Sequence, residues 1–286
     1  MGTPMARNLL KSSQTIIGYD ISEQAVNELV ESGGVRGKSV AELAKNTEVV
    51  ITMLPKGSHV QSVYLGNEGL IANCDRPHLF IDCSTIDIKT SKLVADKAIK
   101  EGHQFMDAPV SGGEIGATNG TLSFMVGCDE AVFEQAKPVL SLMGRNLLYV
   151  GKNGAGLAVK IVNNMLLGIE MAATGEAFNM IAKLGIDAKR FYQIVSKSTG
   201  VSWALKENCP IPGIIEGSPA NNNYIPGFAC ALMSKDLALG QQLAINTDVA
   251  APLGAMAASI FNMACRAGFA HQDMSAVIKF LAGERG

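Results

Sequence analysis

Charge is scarce in this sequence and neither sign dominates: 24 Lys and Arg stand against 26 Asp and Glu among 286 residues, a net charge of −2. A surface that holds nucleic acid or anionic lipid needs a surplus of cations, so both fall away as main partners. Paired cysteines are absent too. Cys74, Cys83, Cys128, Cys209, Cys230 and Cys265 fall at irregular spacings, with no CxxC and no histidine at zinc-finger distance. They read as reduced thiols of a non-secreted protein. The four histidines stand in no metal or triad spacing, so no metal site is expected. A long apolar run is also wanting. The longest uncharged apolar stretch, Val249 to Cys265, is alanine-rich, contains Pro252 and ends at Arg266. It reads as a buried helix rather than a membrane span. The first residues do not read as a signal or transit peptide.

What the sequence does have is apolar bulk, 48% of its residues, in a chain long enough for two domains of ordinary size. Through the first half, strand-like runs alternate with helical ones. "TIIGYD" precedes a helix from Ser22 to Ser32, "EVVITMLP" a helix from Gly57, and "LFIDCST" a helix from Asp87 to Glu101. "QFMDAPV", "TLSFMVG", a helix from Asp129 to Met143 and "NLLYVG" follow. This rhythm predicts βα units on a largely parallel sheet, an α/β Rossmann-type domain over 1–152. From Gly154 the pattern changes. Val159, Val162, Met165, Leu166, Ile169, Ala172 and Ala173 keep helical periodicity to about Leu184, and the segments beyond are helical as well. An all-α domain over 153–286 is therefore expected.

The chain opens on a helix, "MGTPMARNLL", with no strand ahead of it, although a dinucleotide-binding unit starts with a strand and a glycine turn. Asp20 closes "TIIGYD" about 18 residues after Gly2. That is near the distance at which a Rossmann carboxylate meets the ribose hydroxyls and repels a 2′-phosphate, favouring NAD over NADP. Asp20 equally suits the cap of the next helix. Lys160 and Asn164 are four apart and share a helical face. By spacing alone Lys160 is either a surface lysine or a functional one.

Four blocks in order, "DAPVSGG" (Asp107 to Gly113), "GAGLAVKIVNN" (Gly154 to Asn164), "ANNNYIPGF" (Ala220 to Phe228) and "MSKDL" (Met233 to Leu237), resemble the β-hydroxyacid dehydrogenases, in particular the 3-hydroxyisobutyrate branch. The resemblance implies NAD-dependent oxidation of a small hydroxy acid, 3-hydroxyisobutyrate to methylmalonate semialdehyde in valine breakdown. It makes Lys160 the catalytic acid/base, a role that suits a lysine whose pKa burial lowers from about 10.4 toward 7 to 8. It assigns substrate contacts to Ser111, Gly112, Gly113, Asn164 and Lys235, and cofactor contacts to Gly2, Asp20, Leu54, Pro55, Thr85 and Lys235. Asp236 takes a pairing role. Trp203 and Phe228 either wall the substrate site or pack in the core. The related 6-phosphogluconate dehydrogenases carry a glutamate two turns after the lysine, where Leu167 stands here; sugar-phosphate decarboxylation is thus disfavoured.

The same resemblance implies that Met1-Gly2 are the last positions of a glycine loop GLGxMG. The first strand and most of that loop would then precede this sequence, leaving the sheet core and cofactor site incomplete in an N-terminally truncated chain. Alternatives within the class are reductases of tartronate or succinic semialdehyde; outside it stands a non-catalytic dinucleotide-binding relative. A homo-oligomer is expected, dimer or tetramer, in the mitochondrial matrix of a eukaryote or otherwise in the cytoplasm.

Overall fold

The computed structural model describes residues 1–286, which divide into two compact units, Met1–Lys160 and Ile161–Gly286. The first unit opens with α1 (Gly2–Leu9), β1 (Ile17–Gly18), α2 (Glu23–Glu31) and β2 (Val35–Arg36). There follow α3 (Val40–Asn46), β3 (Val49–Thr52), α4 (Gly57–Leu65), α5 (Leu70–Asn73), β4 (Leu79–Asp82) and α6 (Ile88–Lys100). It closes with β5 (Gln104–Asp107), β6 (Val110–Ser111), α7 (Gly113–Asn119), β7 (Leu122–Gly127), α8 (Glu130–Leu140) and β8 (Gly144–Gly151). Helix starts follow side-chain chemistry: Ser22, Ser39 and Asp87 each accept a backbone N–H of the first turn of α2, α3 and α6.

The strands form two sheets. β1 and β2 pair in parallel by themselves, while β3-β4-β5-β7-β6 run in that order, with β8 also on β7. β3, β4 and β5 are parallel, but β5 and β6 meet β7 antiparallel and β8 returns parallel to β7. The sheet is therefore mixed where the βα rhythm predicted a largely parallel one. The reason is β7, which runs antiparallel to "QFMDAPV". That segment is two strands rather than one, interrupted at Ala108-Pro109 where Pro109 has no N–H for a ladder, but both pieces keep one register on β7, Asp107 opposite Gly127 and Val110 opposite Phe124. Two apolar layers enclose the sheet. Ile81, Met106, Phe124 and Val126 join Met5 and Leu9 of α1 on one face, and Phe80, Phe105, Val94 and Tyr64 fill the other. Alternate residues of β4 and β5 thus point to opposite cores, as the strand period requires.

α9 (Ala155–Lys183) begins in the first unit and continues into the second. It is long and apolar enough to cross a bilayer by length and composition, a test that core helices also pass. The second unit holds the rest of α9 with α10 (Ala188–Val195), α11 (Trp203–Lys206), α12 (Cys230–Asn246), α13 (Pro252–Ala264) and α14 (Val277–Leu281). Its core includes Met171, Phe178, Met233, Leu237, Phe261 and Phe269. "ANNNYIPGF" is a 3₁₀ turn over Pro219–Asn222 followed by Asn223 and Tyr224 with φ of 51° and 58°. Asp273 pins the loop: Oδ2 accepts from Gly227 N and Phe228 N at 3.1 and 3.0 Å. Phe228 packs against the core, whereas Trp203 is 53% exposed at the start of α11. All six cysteines are free.

The glycines of "GAGLAVK" act by their lack of a side chain. A Cβ on Gly156 would collide with the Met125 carbonyl and lie 2.9 Å from Asp107 Oδ2. Overpacking of this kind costs about 1 to 3 kcal/mol. Gly156→Ala is expected to lose that much stability in urea unfolding, as α9 is pushed away from β7; unchanged stability would show that the helix start relaxes freely.

Candidate active site

Leu54, Pro55 and Thr85 follow the carboxyl ends of β3 and β4, next to that of β5. Asp82 and Asp107 stand side by side there, in register on β4 and β5. Asp82 is fully buried and its Oδ1 accepts from Thr52 Oγ1, Ser84 N and Ser84 Oγ at 2.8, 3.1 and 2.5 Å. Tyr64 joins through its hydroxyl, 2.9 Å from Thr52 Oγ1, and Ser84 Oγ accepts from Leu54 N at 2.8 Å. This network fixes Leu54, and with it the turn to exposed Pro55, beside half-buried Thr85. No pattern in the sequence announced Asp82, Thr52 and Tyr64 as its members.

Asp107 does a different task. Its oxygens accept from Gly154 N at 2.6 Å and Leu157 N at 2.9 Å, capping the first turn of α9. Burial pushes both Asp82 and Asp107 up to about 6, against the hydrogen bonds from Ser84 and Thr52 on one and from the Gly154 and Leu157 amides on the other. One turn into the helix, Lys160 is 8% exposed.

Ser111, Gly112 and Gly113 lead from β6 into α7. Gly112 and Gly113 have φ of 126° and 62°, conformations that side chains resist, and no side chain caps the helix that follows. That first turn starts from a chain with nothing but hydrogen on two successive Cα atoms, an arrangement suited to a carboxylate.

The second unit brings three further residues together. Asn164 Nδ2 donates to Asp236 Oδ2 at 2.5 Å, and Lys235 Nζ lies 3.1 Å from Asp236 Oδ1 as an ion pair. Asn164 and Asp236 are both 2% exposed. Asp236 therefore orients one residue on α9 and its own neighbour on α12. Leu167 joins the core of the unit and offers no acid.

Gly2 and Asp20 are the positions expected to meet the two ends of the adenosine diphosphate moiety. Gly2 begins α1 with no side-chain cap and nothing within 4 Å of a built Cβ, so backbone can approach a phosphate there. Asp20 is exposed two residues past β1, and its Oδ1 accepts from Ser22 N at 2.8 Å. The cap of α2 is Ser22 and not Asp20, which closes only the turn ahead of it because it lies two residues too early to reach the first-turn amides; its carboxylate has a second oxygen for a ribose.

Comparison with known proteins gives the family. Residues 1–151 match the family described as the NAD binding domain of 6-phosphogluconate dehydrogenase, and residues 154–281 the family described as NAD-binding of NADP-dependent 3-hydroxyisobutyrate dehydrogenase. A 3-hydroxyisobutyrate dehydrogenase of Pseudomonas aeruginosa is 44% identical over 99% of this chain and 96% of its own. The chain belongs to the 3-hydroxyisobutyrate dehydrogenase family. It has that family's Rossmann-type domain and helical C-terminal domain, and NAD is its cofactor. An NAD-dependent L-serine dehydrogenase of the same bacterium is 38% identical over 100% of this chain and 96% of its own. A solved 3-hydroxyisobutyrate dehydrogenase from Mycobacterium tuberculosis with L-serine superposes with a TM-score of 0.92, at 40% identity and covering 98% of this chain and 95% of that one. Members of this family are dehydrogenases of small hydroxy acids, and this chain is an enzyme of that kind.

The paired acids carry a pH prediction. Folded values near 6 lie above the unfolded value of about 3.9, so the native state holds these protons longer and their contribution to stability falls as pH rises from about 4 to about 6. Asp82→Asn removes one such group. Its melting temperature relative to the unmodified protein should climb across that window and level off above it. A difference independent of pH would show that Asp82 titrates as it does in the unfolded chain.

Proposed function

We propose that this enzyme is an NAD-dependent 3-hydroxyisobutyrate dehydrogenase, forming methylmalonate semialdehyde, with 1–152 holding the dinucleotide and 153–286 serving substrate and assembly. The observation that carries the reading is Lys160, a buried lysine on α9, one turn before an asparagine anchored by Asp236. Bound NAD supplies a hydride acceptor for the carbinol carbon. Lys160 takes the hydroxyl proton in that direction and returns it in the other. Ser111, Gly112 and Gly113 receive the carboxylate on their amides and hydroxyl, Asn164 and Lys235 hold the substrate, and Asp236 positions both. Gly2, Asp20, Leu54, Pro55, Thr85 and Lys235 line the dinucleotide.

L-serine is the second substrate reading, supported by the relative named for it and by the solved relative that carries it. The two acids have the same skeleton, a hydroxymethyl carbon beside a carbon bearing the carboxylate, and differ in a methyl against an ammonium. An ammonium buried without acceptors loses its hydration uncompensated, so a site shaped for the methyl rejects it strongly. Steady-state assays with both acids, and with tartronate and succinic semialdehydes in the reductive direction, decide. A kcat/KM at least about tenfold higher for 3-hydroxyisobutyrate is expected; a preference for serine would overturn the substrate while leaving the dehydrogenase standing.

Lys160→Ala is expected to lower kcat by about 10² to 10⁴ with little change in NAD affinity, the range for a lost acid/base. A near-normal kcat would remove Lys160 from the chemistry. Asp20→Ala should weaken NAD and narrow its preference over NADP, as repulsion of a 2′-phosphate disappears. An unchanged ratio would leave Asp20 as a turn cap only.

Assembly as a dimer or tetramer is supported by exposed apolar side chains on the second unit, among them Met180, Leu184, Leu253 and Met256, each more than 60% exposed. Light scattering on a sizing column should give a mass of two or four chains. A monomer at micromolar concentration would refute it.

A further inference from the structure

The amino ends of β4 and β5 carry a cluster that the reaction does not use. His78 immediately precedes β4 and His103 immediately precedes β5, and the parallel register that pairs Leu79 with Gln104 sets the two histidines side by side. Cys74 ends α5 close by. One candidate ligand atom from each of the three lies within 4.8 Å of the others. His78 is 2% exposed; its Nδ1 lies 2.8 Å from the Arg76 carbonyl, which only accepts, so Nδ1 carries the proton and Nε2 the lone pair. That Nε2 is buried and has no partner. A ring pinned through one nitrogen to a backbone carbonyl, with the other bare, is the arrangement of a metal-ligating histidine. Phe80 fixes both rings, stacked on His78 at 5.7 Å and tilted against His103 at 5.1 Å between centroids.

We propose that Cys74, His78 and His103 bind one zinc-class divalent cation. A thiolate with two imidazoles suits Zn²⁺ and its neighbours and is a poor match for Mg²⁺ or Ca²⁺. Tetrahedral bonds of about 2.0 to 2.3 Å put ligand atoms about 3.3 to 3.8 Å apart, so the cluster closes by about 1 Å or so. Cys74 supplies this movement, being half-buried at the end of a four-residue helix. His103 is the weakest ligand, because its Nδ1 already accepts from His78 N at 3.2 Å and must give up that long bond. Water completes the coordination, and the cysteine proton is released on binding. Thr85 and Asp107 stand at the carboxyl ends of the same strands, so the ion ties α5, β4 and β5 together and takes no part in hydride transfer.

The test is titration of the full chain, stripped with chelator, with Co²⁺ as a coloured stand-in for Zn²⁺. One Co²⁺ per chain is expected, with a thiolate-to-metal charge-transfer band and the strong visible absorption of four-coordinate cobalt, both displaced by Zn²⁺. Zn²⁺ should raise the melting temperature and leave kcat unchanged. Cys74→Ser, at a half-buried position that keeps the fold, should abolish the charge-transfer band. His103→Gln should weaken binding by about tenfold or more, and Cys265→Ser should change nothing. Absence of the band, or its survival in Cys74→Ser, would overturn the proposal.

Discussion

One carboxylate joins the sheet of the first unit to the helix that bears the proposed acid/base. Asp107 ends β5 and takes the Gly154 and Leu157 amides, so it both finishes the strand and starts α9. The approach is possible only because Gly127 and Gly156 surround it: a Cβ at either would stand within 3 Å of its oxygens. Everything placed by the first turns of α9, Lys160 included, inherits its position from this cap. The anionic form also favours the positive end of a long helix, which offsets part of the cost of burying it.

Buried acids organise the molecule more widely. Asp82 gathers Thr52, Ser84 and, through Thr52, Tyr64 around the carboxyl ends of β3 and β4; Asp236 holds Asn164; and Asp273 collects Gly227, Phe228 and Ser275 beneath the loop of the second unit. Each accepts several donors from a segment without regular structure or from a side chain that must point one way. In a chain only 17% charged, these few carboxylates replace what ladders of backbone hydrogen bonds do elsewhere. Ring stacking and ion pairs on the surface, such as Lys97 with Glu101, add little by comparison, being exposed.

The two ends of the parallel strands are chemically distinct. At the carboxyl ends stand acids, hydroxyls and glycine turns, the composition of a place where a dinucleotide and a small acid meet backbone donors. At the amino ends of β4 and β5 stand imidazoles, a thiol and Phe80. A mutation at one end therefore need not disturb the other, although both are built on the same two strands.

The periodicities by themselves determined the alternation of strand and helix, the change to all-helix after residue 153 and the starts of α2 and α6 at Ser22 and Asp87, since these depend on local side-chain spacing and on oxygens within three residues of an amide. Four short blocks sufficed to connect the chain to its family. What the sequence did not disclose were relations between distant segments: the antiparallel pairing of β7 with β5 and β6, the Tyr64-Thr52-Asp82-Ser84 network and the bond from Asn164 to Asp236 across 72 residues. Nor could spacing reveal that Cys74, His78 and His103 converge, because strand register, set by the pairing of β4 with β5, brings residues 25 apart into contact. Tertiary structure decided these because a polar side chain finds its partner only after the apolar faces on either side of the sheet have packed and fixed which strands are neighbours.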